Sequence, residues 1–122
     1  MIETWRPILL GKLNQPSNYE VSDLGQVRNV VTGRHLKPYR CPAHSGIYLK
    51  VDLRYQGRRY QRFVHRLVAL AFVPNPTGKP TVNHEDDVRS HCEASNLSWM
   101  TKEEQEAHKA LFRHPVSAEA LA

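Results

Sequence analysis

TVNHEDDVRSHCEASNLSWMTKEEQEAH, residues 81–108, decides how this chain is read. TVNH and LSWMT are short runs of strand character on either side of a polar loop. A core strand would not end on an asparagine beside a histidine, yet Asn83 and His84 stand there, framed by Val82, Leu97 and Trp99. Leu97 and Trp99 alternate with polar neighbours, as one face of a strand does. Asn96 opens the second strand. Thr101 followed by Glu104 is a capping box, so a helix is expected to start there and run through KEEQEAHKALF, with Gln105 and His108 one turn apart. Glu85, Asp86 and Asp87 open a loop that reads as solvated, and they are not taken as metal ligands. His91 and Cys92 receive no role.

Upstream, the pattern has period two. In GIYLKVDLRYQGRRYQRFVH, Ile47, Leu49, Val51 and Leu53 alternate with Tyr48, Lys50, Asp52 and Arg54. Gln56-Gly57 supplies a hairpin turn, and Tyr60 to Val64 returns as the second strand. Further back, Tyr19 and Val21 alternate, Asp23-Leu24-Gly25 turns the chain, Val27 to Val31 resumes a strand, and Gly33 turns it again before His35-Leu36-Lys37. HRLVALAFV then switches to helical spacing and is stopped by Pro74. The proline-rich PNPTGKP that follows reads as a rigid connector and lobe boundary. His35, His44 and His114 have no partner spacing, and the chain shows neither repeats nor low-complexity tracts.

Length and charge bound the possibilities. A chain of 122 residues with 40% hydrophobic content can form one domain, or two small lobes sharing a core. Residues 1–64 hold 11 of the 17 Lys and Arg against 4 acids, net +7, whereas residues 65–122 are net −2. A basic half beside a mildly acidic one suggests a polyanion-binding surface next to a carboxylate-rich site. Cys41 and Cys92 have no C-x-x-C partner, so a Cys-pair zinc site is unsupported; two free thiols are expected, with a long-range disulfide as the alternative. No apolar run is long enough for a membrane span, and MIETWRPILL lacks the features of an export signal. A cytoplasmic chain is therefore expected.

The order strand, loop, strand, helix, with His84, Asn96 and Gln105 at its joints, resembles the ββα-metal fold of HNH endonucleases. VHRLVALAFVPNP, then VNH, then NLSWMT, is similar to the phage- and intron-associated, homing branch of that family. W-R-P-I at 5–8, YEVSDLGQVRN at 19–29 and GRHLKP at 33–38 resemble the NUMOD-type DNA-binding module that precedes such nucleases. The resemblance runs from residue 5 to about 110. It implies an α+β fold in which residues 1–64 form a β-rich DNA-binding module, 65–114 a ββα-metal nuclease lobe, and 115–122 a tail. The setting it implies is the cytoplasm of a bacterial or phage-infected cell.

The chemistry follows from the same resemblance. His84 corresponds to the general base. An unperturbed imidazole, with a pKa of about 6.5, is largely neutral at pH 7 and able to take a proton from water. One divalent ion, Mg2+ or Mn2+, is implied at the scissile phosphate, with Asn83 as a ligand. Asn96 is implied to orient the base and brace the loop. The next ligand position falls on Gln105, where relatives carry His or Asn. Three outcomes follow from that departure: Gln105 ligates through a shifted rotamer, His108 replaces it as second choice, or the ion binds weakly and activity is low. His65, within the V-H-R-L-V-A stretch, is expected to cap or brace its helix. Contacts to double-stranded DNA are expected from Arg28, Arg34, Lys37, Arg40, Lys50, Arg54, Arg58 and Arg59, with Arg58 and Arg59 entering a groove as a pair. The implied activity is DNA hydrolysis by a monomer, through nicking or double-strand cleavage. The rivals are a DNA-binding protein with a degenerate nuclease lobe and an RNA-binding module.

Overall fold

The structure, a computed structural model, describes residues 2–113 apart from 44, 45 and 87, with side chains at 2–42, 46–86 and 88–108. His44, Asp87, His114 and the expected tail at 115–122 lie outside the described residues. The chain starts with an antiparallel meander, β1 (Trp5–Leu10), β2 (Gln15–Ser22), β3 (Val27–Asn29) and β4 (His35–Leu36), paired in that order. A second antiparallel sheet follows, made of β5 (Tyr39–Ala43), β6 (Gly46–Tyr55) and β7 (Arg58–Phe63). Helix α1 (Val64–Phe72) leads to the ribbon β8 (Thr81–His84) and β9 (Leu97–Met100), and α2 (Lys102–Arg113) ends the described chain. The strand-rich composition with two helices is the α+β fold expected. No helix among the described residues is long and apolar enough to cross a membrane.

Several expected elements form for the expected reasons. The β6–β7 hairpin turns at Gln56 and Gly57, both at positive φ (50° and 76°), as a two-residue turn requires. Val51 and Leu53 are buried while Asp52 and Arg54 face out. The capping box is made: the Thr101 amide donates to Glu104 Oε1 (2.9 Å) and the Glu104 amide to Thr101 Oγ1 (3.2 Å). Two differences have identifiable causes. The third strand stops at Asn29 rather than Val31, because Asn29 Oδ1 accepts the Val31 and Thr32 amides and folds the chain into a side-chain-closed turn. Strands β1 and β5 were not anticipated. Each contains a proline: Pro7 lies next to the irregularity in the β1–β2 register, and Pro42 sits on an edge strand, where a missing donor is tolerated.

One continuous core joins these parts. Val64, Leu67, Val68 and Ala69 of α1 are buried with Ile8, Leu10, Tyr19, Val21 and Val27 of the first sheet, Val51 and Leu53 of the second, and Leu97 and Trp99 of the ribbon. Each large aliphatic side chain so buried contributes about 1.5–3 kcal/mol. Polar ties reinforce the packing. Arg6 of β1 donates to the Ala71 carbonyl in the last turn of α1 and lies 4.9 Å from the centre of the Phe72 ring. Trp99 Nε1 donates to the Val73 carbonyl (2.9 Å), and the Asn75 side chain closes the connector through both the amide and carbonyl of Lys79.

The turn between β2 and β3 supports the loop of the ribbon. Ser22 Oγ accepts the Leu24 and Gln26 amides, and the Ala94 amide donates to the Asp23 carbonyl (2.7 Å). Gly25 has a φ of +87°, and a Cβ there would meet Cys92 Cβ and the Cys92 carbonyl oxygen at 3.2 Å. Glycine is thus required twice, by conformation and by approach. Gly25→Ala is expected to destabilise the fold by about 2 kcal/mol in chemical denaturation, and a loss under about 0.5 kcal/mol would refute this account.

Candidate functional site

A cleft of about 570 Å3 opens between the ribbon, the start of α1, the end of the second sheet and α2. Asn83, His84, His65, Tyr48, Arg89 and Gln105 contribute to its walls, with Lys102 and Glu106 also lining it. Asn83 and His84 are the last two residues of β8, paired with Ser98 and Leu97 of β9, and both are buried. Among the described residues Asn83 Nδ2 finds no hydrogen-bond partner. Gln105 reaches the cleft from the first turn of α2, and its Nε2 donates to the Val82 carbonyl (3.1 Å), which ties that helix to β8. Among the described residues the walls do not include His108, although it lies one turn further on.

Asn96 stands behind the site. Its Nδ2 donates to Asp86 Oδ1 (3.0 Å) and the His91 carbonyl (2.9 Å), its Oδ1 accepts the Asp86 amide (3.1 Å), and its own carbonyl accepts the Glu85 amide (2.8 Å). The two residues after His84 are thereby fastened to the start of β9, which fixes the direction in which the chain leaves the histidine. Asp86 also accepts the Val88 amide and holds His91 Nδ1 at 2.6 Å. Its carboxylate is engaged within the loop. Glu85 accepts the Ser98 hydroxyl.

His65 was expected to cap or brace α1, and the structure corrects the first of these. The N-cap of α1 is Phe63, with no side-chain capping bond, so His65 does not cap the helix. It is buried with its ring centre 4.9 Å from that of His84, 5.3 Å from Tyr48 and 5.4 Å from Phe63. Burial first, and then the neighbouring His84, Arg66 and Arg89, push its pKa down to about 3, so it is neutral at pH 7. Its lack of motif spacing hid this from the sequence, although a histidine in the first turn of an apolar helix was a visible flag. Buried Arg89 was also missed, since nothing marks one arginine in a polar loop as inward-facing. Cys92 is buried and its thiol is pushed up to about 12, while Cys41 is half-buried; both are free. Among the described residues no cluster of three His, Cys, Asp or Glu could hold a metal, so any ion here would rely on amide oxygens.

The basic residues divide by strand alternation. Lys50 pairs with Phe63 and Arg54 with Arg59, which puts Lys50, Arg54 and Arg59 on the outward face of the second sheet. Lys50 Nζ lies 4.7 Å from the centre of the Phe63 ring, and Arg59 pairs with Asp52 (2.9 Å), which also accepts from Tyr39. Tyr48 and Phe63 on that same face are cleft walls. Arg58 pairs with Tyr55 and points to the opposite face, so Arg58 and Arg59 do not act as one pair. Arg34, Lys37 and Arg40 are exposed. Arg28 is engaged by Glu20 (2.8 Å) and stacks 3.9 Å above Trp5, in a structural contact of the first sheet.

Comparison with known proteins agrees with this geometry. No family model matches the chain. Two uncharacterized HNH endonucleases of Acanthamoeba polyphaga mimivirus are similar to it, one 35% identical over 109 residues and the other 31% over 122, spanning 87% and 95% of this chain. DNA endonuclease I-HmuI of Bacillus phage SP01 is 31% identical over 86 residues, 70% of the chain. A solved structure concerning DNA binding and cleavage by I-HmuI superposes with a TM-score of 0.72 and 26% identity, over 98% of this chain and 66% of the other. The chain spans 26%, 34% and 47% of the three relatives' own lengths. A strand–loop–strand–helix unit with a histidine at its first strand end defines the class as ββα, HNH-type. The chain belongs to the HNH homing endonuclease family, a family of phosphodiester hydrolases that in general depend on divalent metal.

The loop brace has a defined pH dependence. His91 is raised from its ordinary 6.5, chiefly by its bond to Asp86, so its stabilisation is complete below 6.5 and fades as pH rises through the raised value. Asp86 is lowered from 3.8 to about 2, chiefly by His91, so its contribution is present above 3.8 and lost as pH falls through about 2. The ion pair is therefore intact between those limits. His91→Ala should lower Tm at about pH 5.5 and lower it much less at about pH 9. An equal loss at both would remove the ion pair from the account.

Proposed function

We propose that this chain is a divalent-metal-dependent HNH endonuclease that hydrolyses phosphodiester bonds of double-stranded DNA, acting as a monomer with His84 as general base. The observation that carries the reading is continuity: the outward, basic face of the second sheet ends at Tyr48 and Phe63, which are walls of the cleft that holds His84. Duplex laid along Lys50, Arg54 and Arg59 thus leads its backbone to the histidine. Residues 1–64 would present the DNA, and residues 65–114 would carry the chemistry.

The residues present fit a hard cation. Asn83 is a buried amide whose NH2 finds no acceptor, and turning that amide about its last bond offers the oxygen instead. Gln105 uses its NH2 on Val82 and keeps its oxygen available. Two neutral amide oxygens, completed by phosphate and water, suit Mg2+ or Mn2+ better than zinc. Asn83 and Gln105 would hold the ion, which when bound supplies Lewis acidity at the phosphate and support for the departing 3′ oxygen. His84 accepts the proton of the attacking water, and Asn96 holds the loop that sets where His84 points. Arg34, Lys37 and Arg40 add phosphate contacts, with Arg28 and Arg58 peripheral to the face that enters the cleft.

Plasmid nicking with Mn2+ tests the roles. His84→Ala is expected to lose about 100-fold or more in rate with duplex binding retained, and equal cutting by both proteins would remove His84 from the mechanism. Gln105→Leu should raise the Mn2+ concentration needed for half-maximal nicking by about tenfold, whereas His108→Leu should not move it. The reverse result would transfer the ligand to His108. If the wild type binds duplex but never cuts, the binding-only alternative replaces this reading.

Arg54 and Arg59 provide a separate test. Like charges placed directly opposite weaken a sheet, so Arg54→Thr should leave Tm unchanged or raise it while lowering duplex affinity and flattening its salt dependence by about one phosphate's worth. Unchanged affinity would reduce Arg54 to an ordinary solvated charge.

A further inference from the structure

His65 is a buried titratable side chain in the cleft wall that the proposed chemistry leaves unused. It does not cap α1, its Nδ1 has no hydrogen-bond partner among the described residues, and its ring is packed among other rings. The packing is extensive. Tyr48 of β6 and Phe63 of β7 stand 5.5 Å apart and both flank His65, while Tyr48 also meets His84 at 6.3 Å with their planes at 60°. His65 faces His84 at 4.9 Å and 58°. Four rings from four different elements thus form one cluster, in which His65 and Tyr48 touch the other three and Phe63 backs them. The ribbon that carries His84 has only four residues in each strand, and a two-stranded ribbon is marginal by itself. A general base must be held within about 10–20° of its working direction, which such a ribbon cannot supply unaided.

We infer that His65, backed by Tyr48 and Phe63, is a positioning residue whose flat ring fixes the orientation of the His84 imidazole. The inference rests on the nuclease reading for its kinetic consequence, but the ring contact can be measured without turnover. It also means that the site is completed by the second sheet and α1, from outside the strand–strand–helix unit.

Two measurements on the full chain test this. In nicking kinetics, His65→Ala should lower kcat by roughly 10–100-fold with KM within about threefold, while His65→Phe, which keeps a flat ring, should stay within about fivefold of wild type. Tyr48→Ala should lower kcat as well, and combined with His65→Ala it should cost less than the product of the two, since both act through one ring. In the NMR spectrum, His84 ring protons, shifted by the adjacent rings, should move towards free-imidazole positions in His65→Ala and remain in place in His65→Phe. An unchanged kcat together with unmoved His84 signals in His65→Ala would overturn the inference. So would a His65→Phe protein as slow as His65→Ala, because a nitrogen rather than the ring shape would then be at work. Should wild type fail to cut, the nuclease reading falls, and the His84 signals alone decide whether His65 sets that ring. If His65→Ala does not fold, His65→Phe and Tyr48→Ala carry the same comparison.

Discussion

Burial of one face of α1 beneath all three sheets is the constraint that the rest of the molecule answers to. Nine residues of helix are too few to persist alone in water, and this helix lacks a side-chain N-cap. It exists because Val64, Leu67, Val68 and Ala69 fill the space that the meander, the second sheet and the ribbon leave between them. None of those sheets could hide its own apolar face without it. Once Val64 and Val68 are placed inside, helical geometry leaves no choice for the residue between their turns: at about 100° per residue, position 65 must emerge beside the ribbon's end. The histidine at that position is therefore placed by the same packing that stabilises the fold.

The polar loop from Glu85 to Asn96 is held by a second device of a different kind. It has little apolar content, and its order comes from hydrogen bonds that converge on Asn96 and Asp86, with an outer anchor where Ala94 and Cys92 meet the β2–β3 turn. Bonds of this sort are individually worth about 1 kcal/mol, and more where a charge takes part. Together they tie the residues that follow β8 back to those that precede β9. Packing behind His84 and hydrogen bonding after it thus constrain the same residue from two sides.

What could be read in advance was whatever depends on near neighbours in the chain. The period of two in Ile47 to Leu53, the Gln56-Gly57 turn, the Thr101–Glu104 cap and the apolar stripe of α1 all carry their cause within a few residues. The strands that escaped notice, β1 and β5, contain Pro7 and Pro42, whose tolerance depends on edge position and a register irregularity that only the assembled sheet reveals. Asn83, His84, Asn96 and Gln105 stood out as residues, but the contacts that define them, Asn96 to Asp86 and His91, and Gln105 to the Val82 carbonyl, cross from five to twenty-three positions. The ring cluster around His65 escaped notice for the same reason: it is made of Tyr48, Phe63 and His84, none of which predicts the others from sequence.

The second sheet also acts as a ruler. Tyr48, Lys50, Asp52 and Arg54 alternate onto one face, beginning in the cleft wall and ending beside the hairpin turn. The six steps from Tyr48 to Arg54 cover about 20 Å, and a duplex rises about 3.4 Å per base pair along its axis, so the face is about as long as six base pairs. Its charges are not balanced across the strand pair. Arg54 lies opposite Arg59, and the neighbouring carboxylate of Asp52 is already shared between Arg59 and the Tyr39 hydroxyl. A sheet arranged only for stability would oppose unlike charges there. On the proposed reading, phosphates supply the missing negative charge, and the same β6 backbone that spaces the arginines also sets Tyr48 against His84. Seating of the backbone and support of the base then depend on one strand.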